Sequence, residues 1–149
     1  MFTAILLTVA LLAASVQPDS PTSSATVTRV IDGDTLDAQV DGVRMAVGYL
    51  GAAAPDLNAR CGPEAFARNM ELAHDGVLLE SDAAAPPPTA DAKRRALYYA
   101  YTLDGTSIDQ TLVAEGLAHA SHLDGSQGQT LAALEATAQA NGTGCLWAG

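Results

Sequence analysis

Residues 26–50 read TVTRVIDGDTLDAQVDGVRMAVGYL. Three runs rich in β-branched and apolar residues are divided by Asp32-Gly33 and Asp41-Gly42. Asp-Gly between alternating runs is a strong hairpin signal, because a tight turn of the right twist needs residues that accept positive φ. The stretch predicts strands over 26–31, 35–40 and 43–50 joined as a meander.

Outward from the meander, residues 52–60 read as a loop, and Pro63 opens a helix in its first turn, where a missing N–H costs nothing. Ala65, Phe66, Met70 and Ala73 fall on one helical face, and Gly76 ends the element. Residues 77–80 (VLLE) form a short strand. Residues 81–92 contain Pro86-Pro87-Pro88, which forbids regular structure and predicts an exposed loop. A Tyr-rich strand over 97–103 ends at the turn Asp104-Gly105. Ser107-x-x-Gln110 and Ser126-x-x-Gln129 match the capping box and predict two further helices. The first stops at Gly116, and the second carries Leu131, Leu134 and Ala138 inward. Trp147 is read as a core anchor. Five short strands with helices between them suggest a small closed barrel of the α+β class.

The composition bounds the rest. At 149 residues the chain fits one domain, and a hydrophobic fraction of 48%, in which 30 residues are alanine, excludes disorder as its default state. A net charge of −10 with Lys93 as the single lysine argues against a strong nucleic-acid binder, which concentrates cationic charge to displace phosphate counterions. Residues 1–15 (MFTAILLTVALLAAS) are an apolar run of signal-peptide length, too short for a stable membrane span. Ala13 and Ser15 supply the small-x-small cleavage pattern, although no Lys or Arg precedes Arg29. The expected organisation is a signal peptide over 1–15, a polar leader over 16–24 and a folded domain over 25–149. Export to the periplasm or the extracellular space follows, and a monomer is expected. In an oxidising compartment the simplest reading of Cys61 and Cys145 is a disulfide. Two buried thiols are the alternative. Neither cysteine has a second Cys or a His at zinc-ligand spacing.

Several motifs then fall in one order: Val30-Ile31-Asp32-Gly33-Asp34-Thr35; Tyr49-Leu50-Gly51 with Pro55-Asp56; Cys61-Gly62-Pro63-Glu64-Ala65; Asp91 to Arg95 before the Tyr-rich strand; Asp104-Gly105; and Leu112-Val113-Ala114-Glu115-Gly116-Leu117-Ala118. In this order and spacing the chain resembles the staphylococcal nuclease (thermonuclease) family over residues 25–147. The resemblance implies an OB-fold five-stranded barrel with three helices. It also implies calcium-dependent hydrolysis of nucleic-acid phosphodiesters.

Such chemistry needs clustered oxygen ligands for a hard cation, a carboxylate to orient water, and arginines to hold the phosphate as charge accumulates. The resemblance assigns Asp34 to the metal, Asp56 to the water and Arg95 to the phosphate. Lys93 and Arg94 beside it are candidate substrate contacts. His122 stands at the position of a nucleotide-stacking tyrosine. For each residue a plainer reading stays open: Asp34 as a strand residue beside a turn, Asp56 as a loop aspartate, Arg95 as a solvated loop end and His122 as a loop histidine.

The chain departs from the family pattern at two functional places. Gly48 replaces the first phosphate arginine, and Ala53 and Ala54 replace the second calcium carboxylate and the residue after it. Arg44 lies four strand residues from Gly48, roughly 13 Å along the strand, too far to substitute. Loss of one transition-state donor commonly costs about 3–4 kcal/mol. The expectation is a thermonuclease-like domain whose catalysis is weak or lost. It would hold calcium only if active, and would engage single-stranded nucleic acid or a nucleotide weakly. The alternative is a non-catalytic OB-fold module for an oligonucleotide, oligosaccharide or protein partner.

Overall fold

The computed structural model describes residues 22–84, 90–91 and 93–149. The signal-peptide segment 1–15, the leader up to residue 21 and the triple proline lie outside the described residues. The elements follow as β1 (Thr22–Val30), β2 (Thr35–Val40), β3 (Val43–Tyr49), β4 (Ala52–Ala53), α1 (Gly62–Ala73), β5 (Val77–Glu80), β6 (Ala96–Thr102), α2 (Ile108–Ala114), β7 (His119–Ala120), α3 (Gly128–Ala140) and α4 (Gly144–Trp147). β1, β2, β3, β6 and β5 close into a barrel in that order, and β4 pairs separately with β7. This is the OB-type α+β architecture, with α4 as a single C-terminal turn beyond the three expected helices.

The meander forms as read, with one difference. Asp41 and Gly42 have φ of 50° and 79°, and Val40 pairs with Val43, so this is the two-residue turn that Asp-Gly predicts. Asp32-Gly33 is not. Val30 pairs with Leu36, leaving a five-residue connection. Gly33 is needed for space rather than for positive φ: a Cβ there would lie 2.6 Å from the Cβ atoms of Ala54 and Ala65. The glycine lets the β1–β2 loop press onto the segment after β4 and onto α1.

Closure needs a parallel pair, β3 with β6 (Gly48 opposite Leu97, Tyr49 opposite Tyr98), which requires the long crossover through α1 and β5. β1 begins at Thr22, so the last three residues of the expected leader are strand, paired with Glu80, Leu79 and Leu78 of β5. These small β-compatible residues cover an edge that would otherwise carry unpaired backbone groups.

The core fills the barrel and the layer of helices against it. Leu36, Val47, Val77, Leu79 and Tyr99 from the strands meet Ile108, Leu112, Val113 and Leu131 from α2 and α3. The helix faces differ in detail from the expectation. In α1 the buried row is Ala65, Asn69 and Ala73, while Met70 is 47% exposed. Ser107 caps α2 by accepting the Gln110 N–H at 3.2 Å, but the Gln110 side chain bonds to Gln127 rather than returning to close the box. Ser126 does not cap α3. The N-cap is Gln127, and the Ser126 N–H is held by the Asp82 carboxylate. Trp147 is half-buried, edge-on to the ring of His119 at 5.3 Å. The Cys61–Cys145 disulfide is present and ties the start of α1 to α4, with a Cα–Cα distance of 5.6 Å.

Candidate functional site

Two backbone segments converge on Asp34. The first is the β1–β2 loop itself. Asp32 Oδ1 accepts the Asp34 N–H at 3.1 Å, and the Asp32 carbonyl accepts from the Asn69 side chain at 2.9 Å. Asn69 in turn accepts from the Tyr49 hydroxyl at 2.6 Å. A buried helix amide thus pins the loop to α1 and β3. The second segment follows β4, where the Ala54 N–H donates to Asp34 Oδ2 at 2.8 Å. Asp34 Oδ1 accepts from the Thr35 hydroxyl at 2.8 Å. Burial pushes the Asp34 carboxyl up to about 6. The Thr35 bond opposes that rise, and the nearby Asp32 charge adds to it.

Arg95 reaches the same carboxylate. Its Nη1 lies 3.3 Å from Asp34 Oδ1 and also donates to the Thr35 hydroxyl. Its Nε and Nη2 both donate to Asp91 Oδ2, at 2.7 and 2.5 Å. The other Asp91 oxygen accepts the backbone N–H groups of Lys93 and Arg95, each at 3.0 Å. Asp91 therefore shapes the turn that delivers Arg95 and also grips its guanidinium. Burial works to raise the Asp91 carboxyl, but its bonds from Arg95 win and hold it below the usual carboxylate range. For Arg95, burial lowers and the paired Asp91 and Asp34 raise, with a net rise. The side chains of Arg95, Asp34 and Asp91 are 20%, 14% and 21% exposed, so this cluster is largely shielded from solvent.

The sequence-predicted residues divide accordingly. Asp34 and Arg95 meet directly. Asp56 and Lys93 face one another at 3.9 Å with side chains 83% and 68% exposed, an ion pair at the rim. Arg94 is exposed and sits at φ 60°, its N–H donating to the Asp91 carbonyl. His122 sits at φ 47°, with Nδ1 at 2.9 Å from the Leu50 carbonyl. None of its described bonds is to Asp34, Asp56 or Arg95. Arg44 pairs with Gln39 beside the β2–β3 turn, at the opposite end of β3 from Gly48.

Gly48 itself lies under Arg95. A Cβ built on it would be 3.3 Å from Arg95 Cζ and Nε and 2.8 Å from Leu97 Cδ2. The contact places position 48 beside Arg95.

Residues that sequence reasoning missed are Asn69, Asp91 and Asp109. The signal for Asn69 was a polar residue in the i, i+4 row with Ala65 and Ala73. Asp91 stood four residues before Arg95. Asp109 is fully buried, and its two oxygens accept the Gly51 and Ala100 N–H groups at 2.7 Å each. Burial pushes it up to about 7, against the pull of those two bonds. Nothing in its local sequence announced that it would face inward.

The resemblance implies a calcium ion at this site. Calcium takes roughly six to eight oxygen ligands. Here one carboxylate, Asp34, is the centre of three hydrogen-bond donors, and positions 53 and 54 carry methyl groups. Among the described residues no group of three or more His, Cys, Asp or Glu side chains is arranged to hold a metal ion. The residues present do not fit such an ion.

The barrel is of the OB type that the thermonuclease resemblance implies. Comparison with known proteins agrees. The chain is 36% identical over 107 residues to endonuclease YncB of Bacillus subtilis (strain 168), covering 67% of this chain and 49% of that protein. It is 35% identical over 105 residues to the SPbeta prophage-derived endonuclease YokF of the same organism, covering 66% of this chain and 34% of that protein. The chain thus spans about half or less of the curated relatives it matches. No family model matches it. These relatives are nucleases, consistent with the thermonuclease resemblance. Among the described residues no helix is long and apolar enough to cross a membrane.

Proposed function

We propose that this chain is an exported thermonuclease-like domain that engages nucleic-acid phosphodiesters, and whose calcium-dependent hydrolysis is weak or lost. The observation that carries the reading is the bonding of Arg95. The one arginine left for the phosphate already donates to Asp34, Thr35 and Asp91. Of the five N–H donors of a guanidinium, these bonds and the Nη2 contact with Asp91 leave little for a phosphate oxygen, which must compete with the chain's own carboxylates for the rest. In this reading Arg95 is the phosphate contact, and Lys93 and Arg94 attract the strand at the rim. His122 offers a ring for a base, and Asp56 is the carboxylate that would orient water. Asp56 is poorly set for that task, being exposed and one methylene shorter than the glutamate of the family. A misplacement of about 1 Å costs roughly a hundredfold in rate. The relatives named as endonucleases support the substrate class, and the disulfide supports an oxidising compartment.

The test is cleavage of labelled single-stranded DNA by the mature protein with CaCl₂, with EDTA and Asp34→Ala as controls. The expected outcome is turnover several decades below that of an intact family enzyme assayed alongside it. Binding without cleavage, seen as a salt-sensitive mobility shift, would favour the non-catalytic module. Robust EDTA-sensitive cleavage that vanishes in Asp34→Ala overturns the proposal.

A further inference from the structure

Asp34 is surrounded by donors. The Thr35 hydroxyl, the Ala54 N–H and Arg95 Nη1 all converge on its two oxygens. These donors take three of the roughly four lone-pair sites of a carboxylate, so an ion would find only one left on Asp34. The guanidinium packs over a residue without a side chain: a methyl group on residue 48 would lie 3.3 Å from Cζ and Nε, a crowded contact. Asp91 holds the far side of the same guanidinium through Nε and Nη2. Arg95 is thus fixed at both ends, between a carboxylate of the β1–β2 loop and a carboxylate of its own turn.

We infer that Arg95 is the resident cation of this site, its guanidinium taking beside Asp34 the place that a divalent ion would need, over the bare backbone of Gly48. The inference rests on the preceding reading only for which residues make up the site. Its consequence is specific. The chain keeps Asp34 neutralised without metal, and its folded state does not respond to calcium. The replacements at positions 48 and 53 are then one coupled change. With no second carboxylate there is no metal, and with no side chain at 48 the arginine can fill the gap. A guanidinium is suited to the role, since it is permanently charged and presents several donors in one plane, matching two carboxylates at once.

The experiment is thermal unfolding of the disulfide-intact protein against CaCl₂ up to about 10 mM, with NaCl at matched ionic strength as control. A site of about 1 mM Kd would raise Tm by roughly 4 °C at that concentration. The expected shift over the control is under ~1 °C, in the wild type and in Asp34→Asn alike. In Arg95→Ala the pocket is vacated, so Tm falls. Ethylguanidinium at about 10 mM is expected to raise it again by roughly 2 °C or more, with no such rise in the wild type. A saturable calcium-dependent rise in wild-type Tm that Asp34→Asn abolishes overturns the inference, and so does a folded Arg95→Ala that ignores ethylguanidinium. If Arg95→Ala does not fold, the comparison of wild type with Asp34→Asn decides alone. Tm and cleavage are separate readouts: metal-free cleavage would sink the proposed loss of catalysis and leave this inference standing.

Discussion

Gly48→Ala should destabilise the protein, although alanine is favoured over glycine at most strand positions. Replacing glycine restricts the unfolded chain and by itself contributes about 0.4–1 kcal/mol of stability. Against that stands the crowding. The new methyl group would lie 2.8 Å from Leu97 Cδ2 and 3.3 Å from Arg95 Cζ and Nε. Leu97 is only 8% exposed, so its tip cannot swing into solvent, and the guanidinium is held by Asp34 and Asp91. Overpacking of this kind costs about 1–3 kcal/mol. The net loss should therefore lie between about 0 and 2.6 kcal/mol, read as a lower urea midpoint at unchanged m-value. A double-mutant cycle separates the two neighbours. Arg95→Ala should relieve the smaller part of the cost, because the closer contact with Leu97 persists. A Gly48→Ala protein more stable than wild type would refute the reasoning, since the unfolded-chain gain would then stand unopposed and the space above position 48 would be open. The same crowding bears on any attempt to restore the family arginine: Gly48→Arg must first dislodge Arg95 from Asp34, so its effect cannot be a simple addition.

Two further outcomes follow from the buried acid and the disulfide. Asp109→Asn should cost about 1–3 kcal/mol, because a single amide oxygen cannot accept from both Gly51 and Ala100 and leaves one N–H facing an NH₂ group. The penalty should also depend on pH. With a folded value near 7 against 3.8 unfolded, the native state binds more protons between about pH 4 and 7. The stability that Asp109 contributes is thus fully present below pH 4 and falls as pH rises through that window. The difference between wild type and Asp109→Asn in urea titrations should be larger at pH 5 than at pH 8, and a flat difference would contradict the assignment. Cys61→Ser with Cys145→Ser opens a link spanning a sequence separation of 84, and should cost about 4–5 kcal/mol in the chain-entropy account. A loss below ~1 kcal/mol by urea titration would mean that the unfolded chain is already constrained there.

The fold was legible because its information is local and periodic. The Val- and Thr-rich runs and the Asp41-Gly42 turn state the meander, and Pro63 and Gly76 bracket α1. The misreadings have physical causes. Asp32-Gly33 looks like a tight turn, yet its glycine serves a close approach of Ala54 and Ala65 that only the folded chain reveals. Met70 matched the helical period, but the barrel presents its groove to the row of Asn69, whose polar side chain is satisfied by a loop carbonyl and a tyrosine distant in sequence. Asp34 and Arg95 were readable as a pair only through resemblance to a family. That Asp91 would share the guanidinium, and that Gly48 would lie beneath it, depends on strand register and side-chain direction, which residue order alone does not carry.

Asp109 has one further consequence. Its carboxylate fastens the backbone just beyond β3 and the middle of β6 to one side chain on α2. The amides of Gly51 and Ala100, far apart in sequence, therefore lose this acceptor together whenever α2 lifts. Their exchange with solvent through that opening belongs to one event, and α2 acts as the latch of the barrel wall rather than as a lid laid over it.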